Sequence, residues 1–192
     1  HVGTCYEYGA HDSPVAEDCP PTPLGLYGAT KLAGFFVARE RALAIGMRFL
    51  TGRPFGIYGP LEGSHKLVPL VMDRARSQTP LDLTPGEQQR DYAYVGDVAN
   101  ALLVMVDRRD VSNGSVFNIC TGAPVSLRDF VEKVAAACPT RPRLNWGRLP
   151  YRLDENMTIV GNPSKANREL KWTASTSLDA GLRVTAEFER FR

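Results

Sequence analysis

A tyrosine and a lysine stand four residues apart in the stretch Tyr27-Gly28-Ala29-Thr30-Lys31. Residues four apart share one face of a helix, so the Lys31 ammonium can lie beside the Tyr27 ring. A fixed cation favours the ionised form of a neighbouring phenol, which otherwise keeps its proton at neutral pH. The spacing therefore predicts a general acid/base. The same spacing also fits a surface helix on which a tyrosine packs against a lysine stem, and only the surrounding motifs separate these interpretations.

Length and composition predict one ordinary globular core, because the chain has 192 residues, of which 43% are hydrophobic and 23% charged. A formal net charge of +2 gives no reason to expect nucleic acid or a membrane as partner. Cys5, Cys19, Cys120 and Cys138 are scattered and, with three histidines, do not cluster as metal ligands do. We therefore expect reduced thiols, no metal and a cytoplasmic location.

Strand-like and helix-like patterns alternate along the chain, which predicts an α/β fold with a largely parallel sheet. The predicted strands cover residues 47–54 and 115–120. The predicted helices cover residues 28–44, 66–78, 98–107 and 127–137, with a short helix after Asn162-Pro163 and a last one after Ser177. Asp97 is predicted to cap the third helix, and Ser126 with Asp129 the fourth.

The first four residues, His1 to Thr4, have the pattern of the end of a buried strand. A parallel strand needs neighbours and crossover connections, so we expect this sequence to be the carboxy-terminal part of a longer protein. The glycine turn Gly-x-x-Gly-x-x-Gly of a dinucleotide site occurs nowhere in the chain.

Five motifs occur in a fixed order. They are Gly3-Thr4 with Tyr8-Gly9, the stretch from Tyr27 to Lys31, the run from Arg53 to Pro60, the run from Gly86 to Val98, and the run from Phe117 to Gly122. In this order the chain resembles the extended short-chain dehydrogenases/reductases, in the branch called the NAD-dependent epimerase/dehydratase family of nucleotide sugars. A weaker sixth motif, Pro163 to Ala166 with Leu170-Lys171-Trp172, fits the carboxy-terminal lobe of that family.

The resemblance implies the carboxy-terminal part of a Rossmann-type parallel sheet plus a smaller, mixed substrate-binding lobe. Residues 1–60 would be the remainder of the dinucleotide-binding domain and residues 61–96 a segment of the substrate lobe. Residues 97–122 would return to the sheet, and residues 123–192 would complete the substrate lobe.

The resemblance also implies roles for individual residues. The catalytic residues would be Tyr27, Lys31 and Thr4: Tyr27 as the acid/base, Lys31 as the cation that favours its phenolate, and Thr4 as a hydrogen-bond partner of the reacting sugar oxygen. Tyr27 and Lys31 would also contact the cofactor, NAD or NADP, with Lys31 holding the nicotinamide ribose. Pro54, Phe55, Gly56 and Ile57 would border the nicotinamide. The substrate-binding candidates are Thr4, Cys5, Tyr6, Leu67, Val68, Arg90 and Arg152. Helix packing explains Leu67 and Val68 equally well, and Arg90 could instead pair with Asp91.

Two departures from the family pattern reduce the number of reactions that we expect this chain to support. Dehydratases of the family carry an acidic pair after the Ser/Thr, where this chain has Cys5 and Tyr6. Glu7 comes one position late and in extended backbone would point to the opposite face, which counts against a 4,6-dehydratase. Gly56 replaces an asparagine that contacts the substrate phosphate in many relatives.

The leading hypothesis is hydride transfer at C4 of a nucleotide-activated hexose, as a 4-ketoreductase or a 4-epimerase. The alternative is a non-catalytic fragment of the same fold that binds nucleotide sugars, and a 4,6-dehydratase is a further alternative. The enzyme is expected to be inactive as this fragment alone. A homodimer is expected through the helix that carries Tyr27, for which Phe35, Phe36 and Val37 supply apolar area, although these residues serve equally well as core.

Overall fold

Helices and short strands alternate along the described residues, 1–11 and 14–189, of the computed structural model. The strands are β1 (Thr51–Pro54), β2 (Gly56–Tyr58), β3 (Leu81–Asp82), β4 (Gln89–Tyr94), β5 (Val116–Ile119), β6 (Pro124–Ser126), β7 (Leu144–Asn145) and β8 (Thr158–Ile159). The helices are α1 (Gly25–Ala44), α2 (Leu67–Ser77), α3 (Val95–Asp107), α4 (Leu127–Ala137) and α5 (Leu178–Glu189). A 3-10 helix, Cys5–Glu7, and a π-helix, Ala166–Leu170, complete the order.

The first parallel layer is built on β1. This strand runs parallel to β5, with Thr51 opposite Val116 and Pro54 opposite Ile119. On the other side of β1, Val2 forms a parallel bridge with Gly52. All four residues of β1 are buried, as expected for a strand covered on both faces. The first residues thus pair with the sheet as the sequence predicted, although the Val2 side chain is exposed.

The second sheet is mixed and centres on β4. Its carboxy-terminal half pairs in parallel with β2, and its amino-terminal half pairs antiparallel with β6 and parallel with β8. A separate parallel pair joins β3 to β7. The predicted combination of a parallel layer and a smaller mixed lobe is confirmed.

Among the described residues, the two largest of four apolar cores support these sheets. One lies between α3, β5 and the π-helix and contains Val98, Met105, Phe117, Ile119 and Trp172. The other lies between α2, α4 and α5 and contains Val68, Val71, Phe130, Val134 and Leu182. Because β4 and α3 are consecutive, one continuous segment contributes to both the mixed sheet and the first core.

The predicted cap of the third helix is wrong. The helix begins at Val95 with Tyr94 as its N-cap, so Asp97 lies within the first turn. A carboxylate is favourable there because of the helix dipole. The Asp97 carboxylate instead accepts hydrogen bonds from the Ser175 hydroxyl (3.2 Å) and the Thr176 N–H (2.9 Å). It therefore fastens a distant loop to the helix.

The predicted N-terminal caps of α4 and α5 agree with the structure. The Ser126 hydroxyl accepts a hydrogen bond from the Asp129 N–H (2.9 Å) and donates one to its carboxylate (2.7 Å), which confirms the cap of α4. The Ser177 hydroxyl accepts a hydrogen bond from the Ala180 N–H (3.3 Å) at the start of α5.

Across the described part of the chain, no helix combines the length and the apolar character needed to cross a bilayer.

Candidate active site

An open cavity of about 600 Å³ lies where the 3-10 helix, the start of α1 and the segment after β1 meet. Three groups of residues line it: Gly3, Thr4 and Tyr6; Tyr27; and the run from Pro54 to Glu62 with Lys66 and Val95. Two of the three predicted catalytic residues, Thr4 and Tyr27, thus share one cavity. The predicted cofactor-binding residues Pro54, Phe55, Gly56 and Ile57 form part of its wall.

Thr4 is positioned by a capping box at the start of the 3-10 helix. Its hydroxyl accepts a hydrogen bond from the Tyr6 N–H (3.4 Å), while the Glu7 carboxylate accepts one from the Thr4 N–H (2.9 Å). The two reciprocal bonds fix the backbone on both sides of the threonine. The Thr4 side chain is therefore held at the cavity wall by local structure.

Glu7 is fully buried and does not face the cavity as a free acid. Its second carboxylate oxygen lies 2.7 Å from the Arg53 Nε, in an ion pair whose side chains are 0% and 4% exposed. The Arg53 guanidinium also lies over the Tyr8 ring, 4.5 Å from its centroid. The expectation of extended backbone at Glu7 is wrong, because the residue closes a 3-10 turn. The pairing with Arg53 joins this turn to β1.

Tyr27 lies in the first turn of α1 and reaches the cavity because Gly28 lets the helix approach the 3-10 helix. A Cβ atom at Gly28 would lie 2.4 Å from the carbonyl oxygen of Tyr6. The Tyr6 and Tyr27 rings meet edge to face, with centroids 6.0 Å apart. The Tyr27 side chain is 57% exposed, so its phenol is open to a ligand.

Lys31 follows Tyr27 by one turn of α1, which confirms the helical spacing predicted from the sequence. Its ammonium donates a hydrogen bond to the carbonyl oxygen of Val2 (3.3 Å), at the strand end that leads to Thr4. Among the described residues no carboxylate forms an ion pair with Lys31. Its action on the Tyr27 phenol stays a prediction.

Burial separates the remaining candidates near the cavity. Cys5 is buried, and burial raises the pKa of its thiol to about 12, so it stays protonated. Tyr6 is about half exposed as a residue, and the partial burial of its phenol raises the pKa of that group. Val68 is only 1% exposed and packs in the core between α2 and α4, whereas Leu67 is partly buried at the start of α2. Helix packing, the interpretation left open by the sequence, accounts for the Val68 side chain.

The two candidate phosphate-binding arginines both contact Glu155, Arg90 through its side chain and Arg152 through its main chain. Arg90 forms an ion pair with the Glu155 carboxylate (2.7 Å) and donates to the carbonyl oxygen of Gln89, so its partner is not Asp91. The exposed Arg152 accepts a hydrogen bond from the Glu155 N–H at its carbonyl oxygen (3.1 Å). A binding role for either arginine stays a prediction.

Two carboxylates of this region were missed from the sequence. Asp91 is buried and accepts hydrogen bonds from the N–H and hydroxyl of Thr121, the N–H of Gly122 and the N–H of Gly161. Glu62 lies in the cavity wall, although no motif or spacing marked it. The signal available for Asp91 was its place in the run from Gly86 to Val98. Among the described residues, no group of three or more His, Cys, Asp or Glu side chains could hold a metal ion.

A parallel α/β layer here brings a threonine and a tyrosine to one cavity, and the tyrosine lies on a helix one turn before a lysine. This is the architecture of a short-chain dehydrogenase/reductase. The chain belongs to the NAD dependent epimerase/dehydratase family, whose model matches residues 1–120.

Individual relatives agree with this assignment. The chain is 29% identical over 186 residues to UDP-glucose 4-epimerase from Corynebacterium glutamicum, covering 88% of this chain and 56% of the relative. It is 38% identical over 138 residues to CDP-abequose synthase from Salmonella typhimurium, covering 70% of this chain and 46% of the relative. Among solved structures, MoeE5 in complex with UDP-glucuronic acid and NAD aligns with a TM-score of 0.89 at 29% identity, covering 99% of this chain and 64% of that one. The chain thus spans about half the length of these two curated relatives.

Proposed function

We propose that the protein containing this chain transfers hydride at C4 of a nucleotide-activated hexose, as a 4-ketoreductase or a 4-epimerase. The observation that supports this most is the shared cavity of Thr4 and Tyr27. A hydroxyl and a phenol at one cavity can bind the same sugar oxygen from two sides. The relatives support the substrate class, since the names of two of them include a nucleotide-linked sugar and the third is bound to one.

The residues present fit the nicotinamide half of NAD or NADP. The Tyr27 phenol is exposed, and the Lys31 ammonium lies one turn away on α1, without an ion-pair partner among the described residues. Lys31 would hold the ribose, and the backbone from Pro54 to Ile57 would border the carboxamide. A cofactor held there would supply the hydride-transfer chemistry for the sugar carbon.

The chain's own residues would handle the proton. The Tyr27 phenolate takes the proton of the C4 hydroxyl in the oxidising direction and returns it in the reducing direction. The Lys31 ammonium stabilises the phenolate, and the Thr4 hydroxyl holds the reacting oxygen. Arg90 and Arg152 would bind the substrate diphosphate, since a guanidinium pairs with two phosphate oxygens at once.

We further propose that the protein forms a homodimer through α1 and is located in the cytoplasm. Val37 is 71% exposed and Phe36 is 42% exposed, whereas Phe35 is buried and serves the core. An exposed apolar face of this kind supports pairing with a second copy. The cytoplasmic location rests on the sequence alone.

The Tyr27→Phe variant tests the proposed acid/base. We expect the turnover number of the natural full-length polypeptide to fall about 10²- to 10⁴-fold, because the proton transfer loses its group. Folding should be preserved, because the ring is retained and the phenol is exposed. Turnover would be followed by the absorbance of the reduced cofactor and by analysis of the sugar product, with unfolding measured by denaturant.

The control is Tyr151→Phe, which removes a hydroxyl that hydrogen-bonds Glu87 outside the cavity. A Tyr27→Phe variant that keeps most of its turnover would contradict the proposal. Consumption of reduced cofactor in step with product identifies a reductase, whereas turnover without net consumption identifies an epimerase.

A further inference from the structure

Glu62 lies in the wall of the same cavity as Thr4 and Tyr27. It belongs to the connection between β2 and α2, directly after Leu61. Leu61 adopts a left-handed backbone conformation, with φ of 67°. A residue other than glycine is strained in that conformation, because its Cβ atom crowds the backbone. The backbone that presents Glu62 to the cavity is therefore not in its most stable form.

The Glu62 carboxyl is poorly satisfied by the protein. Its Oε2 atom is buried and has no hydrogen-bond partner among the described residues. A buried oxygen without a donor destabilises the folded state, because it has lost its hydrogen bonds to water without a replacement. Glu7 in the same region provides the contrast, because the Thr4 N–H and the Arg53 guanidinium each bond one of its oxygens. Glu7 has the contacts of a structural carboxylate, and Glu62 does not.

The surroundings of Glu62 favour its neutral form. Burial raises the pKa of the carboxyl to about 7, and the opposing attraction of the Lys66 ammonium is the smaller effect. The other titratable groups that line the cavity or interact with Glu62 are the phenols of Tyr6, Tyr27, Tyr58 and Tyr92. Near neutral pH a large fraction of Glu62 is therefore a carboxylic acid, which can donate one hydrogen bond and accept another.

We infer that Glu62 is a third side chain of the site that contacts the sugar, where its carboxyl hydrogen-bonds a hydroxyl or keto oxygen of the hexose ring. The inference rests on the proposed function, because it assigns the cavity to the sugar. It accounts together for the unpaired oxygen, the strained residue before it and the place in the wall. Because the Oε2 atom is buried in the free protein, it bonds a sugar hydroxyl only when the Glu62 side chain turns towards the cavity on binding.

The test is the pH dependence of kcat/KM, which reports groups of the free enzyme. The assays use the full-length polypeptide and the best-used member of a panel of UDP-, CDP- and dTDP-linked hexoses. The active neutral form of Glu62 is present below pH 7 and is lost above it. We therefore expect the kcat/KM of the unmodified enzyme to fall several-fold between pH 7 and 8.

The Glu62→Gln variant should not show this fall, because an amide stays neutral and still donates. The Glu62→Ala variant should lose about tenfold in kcat/KM at pH 6.5, as expected for one missing hydrogen bond. Glu187→Gln is the matched control, since that carboxylate is exposed on α5, and it should retain the fall.

Two outcomes distinguish a failure of the inference about Glu62 from a failure of the proposed function. If Tyr27→Phe is inactive but Glu62→Gln keeps the pH profile of the unmodified enzyme, the inference about Glu62 is wrong and the proposed function stands. If no member of the panel is turned over, or Tyr27→Phe stays active, the proposed function fails and the inference fails with it.

Discussion

Arg90 illustrates how a single residue can have a structural partner and still be a candidate for binding. Its ion pair with Glu155 is partly shielded from solvent, with the two side chains 17% and 21% exposed. A guanidinium has five N–H donors, so one carboxylate does not exhaust them. The same arginine can therefore be held by Glu155 in the free protein and bind a diphosphate when substrate enters.

A pair of substitutions separates these two roles of Arg90. If Arg90 binds the diphosphate, Arg90→Lys should raise KM about tenfold, because an ammonium lacks the planar pair of N–H donors that matches two phosphate oxygens. Glu155→Gln should lower KM a few-fold, because it removes the competing carboxylate. Steady-state kinetics of the full-length polypeptide would measure both.

If Arg90 only holds Glu155, both variants should lose stability and neither should change KM. Denaturant unfolding of the two variants, set beside their KM values, would show which description holds.

At the scale of elements, the site depends on how closely α1 packs on the 3-10 helix. Gly28 makes this approach possible, and the Glu7–Arg53 pair holds the 3-10 helix against β1. Breaking a buried pair by removing one partner typically destabilises a protein by about 3–5 kcal/mol. The geometry of Thr4 and Tyr27 is thus set by two contacts that themselves do no chemistry.

Gly28→Ala tests the close approach. The added methyl group would meet the Tyr6 carbonyl oxygen, so α1 must move away. We expect a loss of about 1–3 kcal/mol in the free energy of unfolding, the usual range for overpacking, together with a large loss of turnover. Denaturant unfolding and the cofactor assay would measure the two effects.

Gly34→Ala is the matched control on the same helix, since nothing lies within 4 Å of a Cβ atom there. It should be neutral or stabilising by about 0.5–1 kcal/mol, because alanine favours helices over glycine. Equal behaviour of the two variants would mean that the Gly28 contact does not position the tyrosine.

The whole molecule shows where sequence reasoning succeeded and where it stopped. The alternation of strand-like and helix-like patterns predicted the α/β architecture, and the spacing of Tyr27 and Lys31 predicted their places on one helix. The cap at Asp97 was misjudged because the partners of its carboxylate, Ser175 and Thr176, lie far away in sequence. Glu62 was missed for a similar reason, since its burial depends on packing that local patterns do not encode.

Strands, too, were predicted only where the local sequence carries a clear pattern. The parallel partners β1 and β5 are separated by about sixty residues. Each lies within a predicted strand, 47–54 and 115–120, although β1 itself is the sequence Thr-Gly-Arg-Pro and begins only at Thr51. The two-residue strands β3, β7 and β8 carry too little pattern to be recognised without their partners.

One buried side chain joins its own strand, β4, to two segments distant in sequence, since the Asp91 carboxylate accepts hydrogen bonds from the N–H groups of Thr121 and Gly122 and from that of Gly161. When that carboxylate is exposed by a local opening, all three amides lose their acceptor at the same moment. Their protons should then exchange with deuterated solvent at closely similar rates, as members of one cooperative unit.

Asp91→Asn should accelerate the exchange of all three together, whereas Asp73→Asn on the exposed side of α2 should leave them unchanged. Three unrelated exchange rates in the unmodified protein would show that the segments open independently.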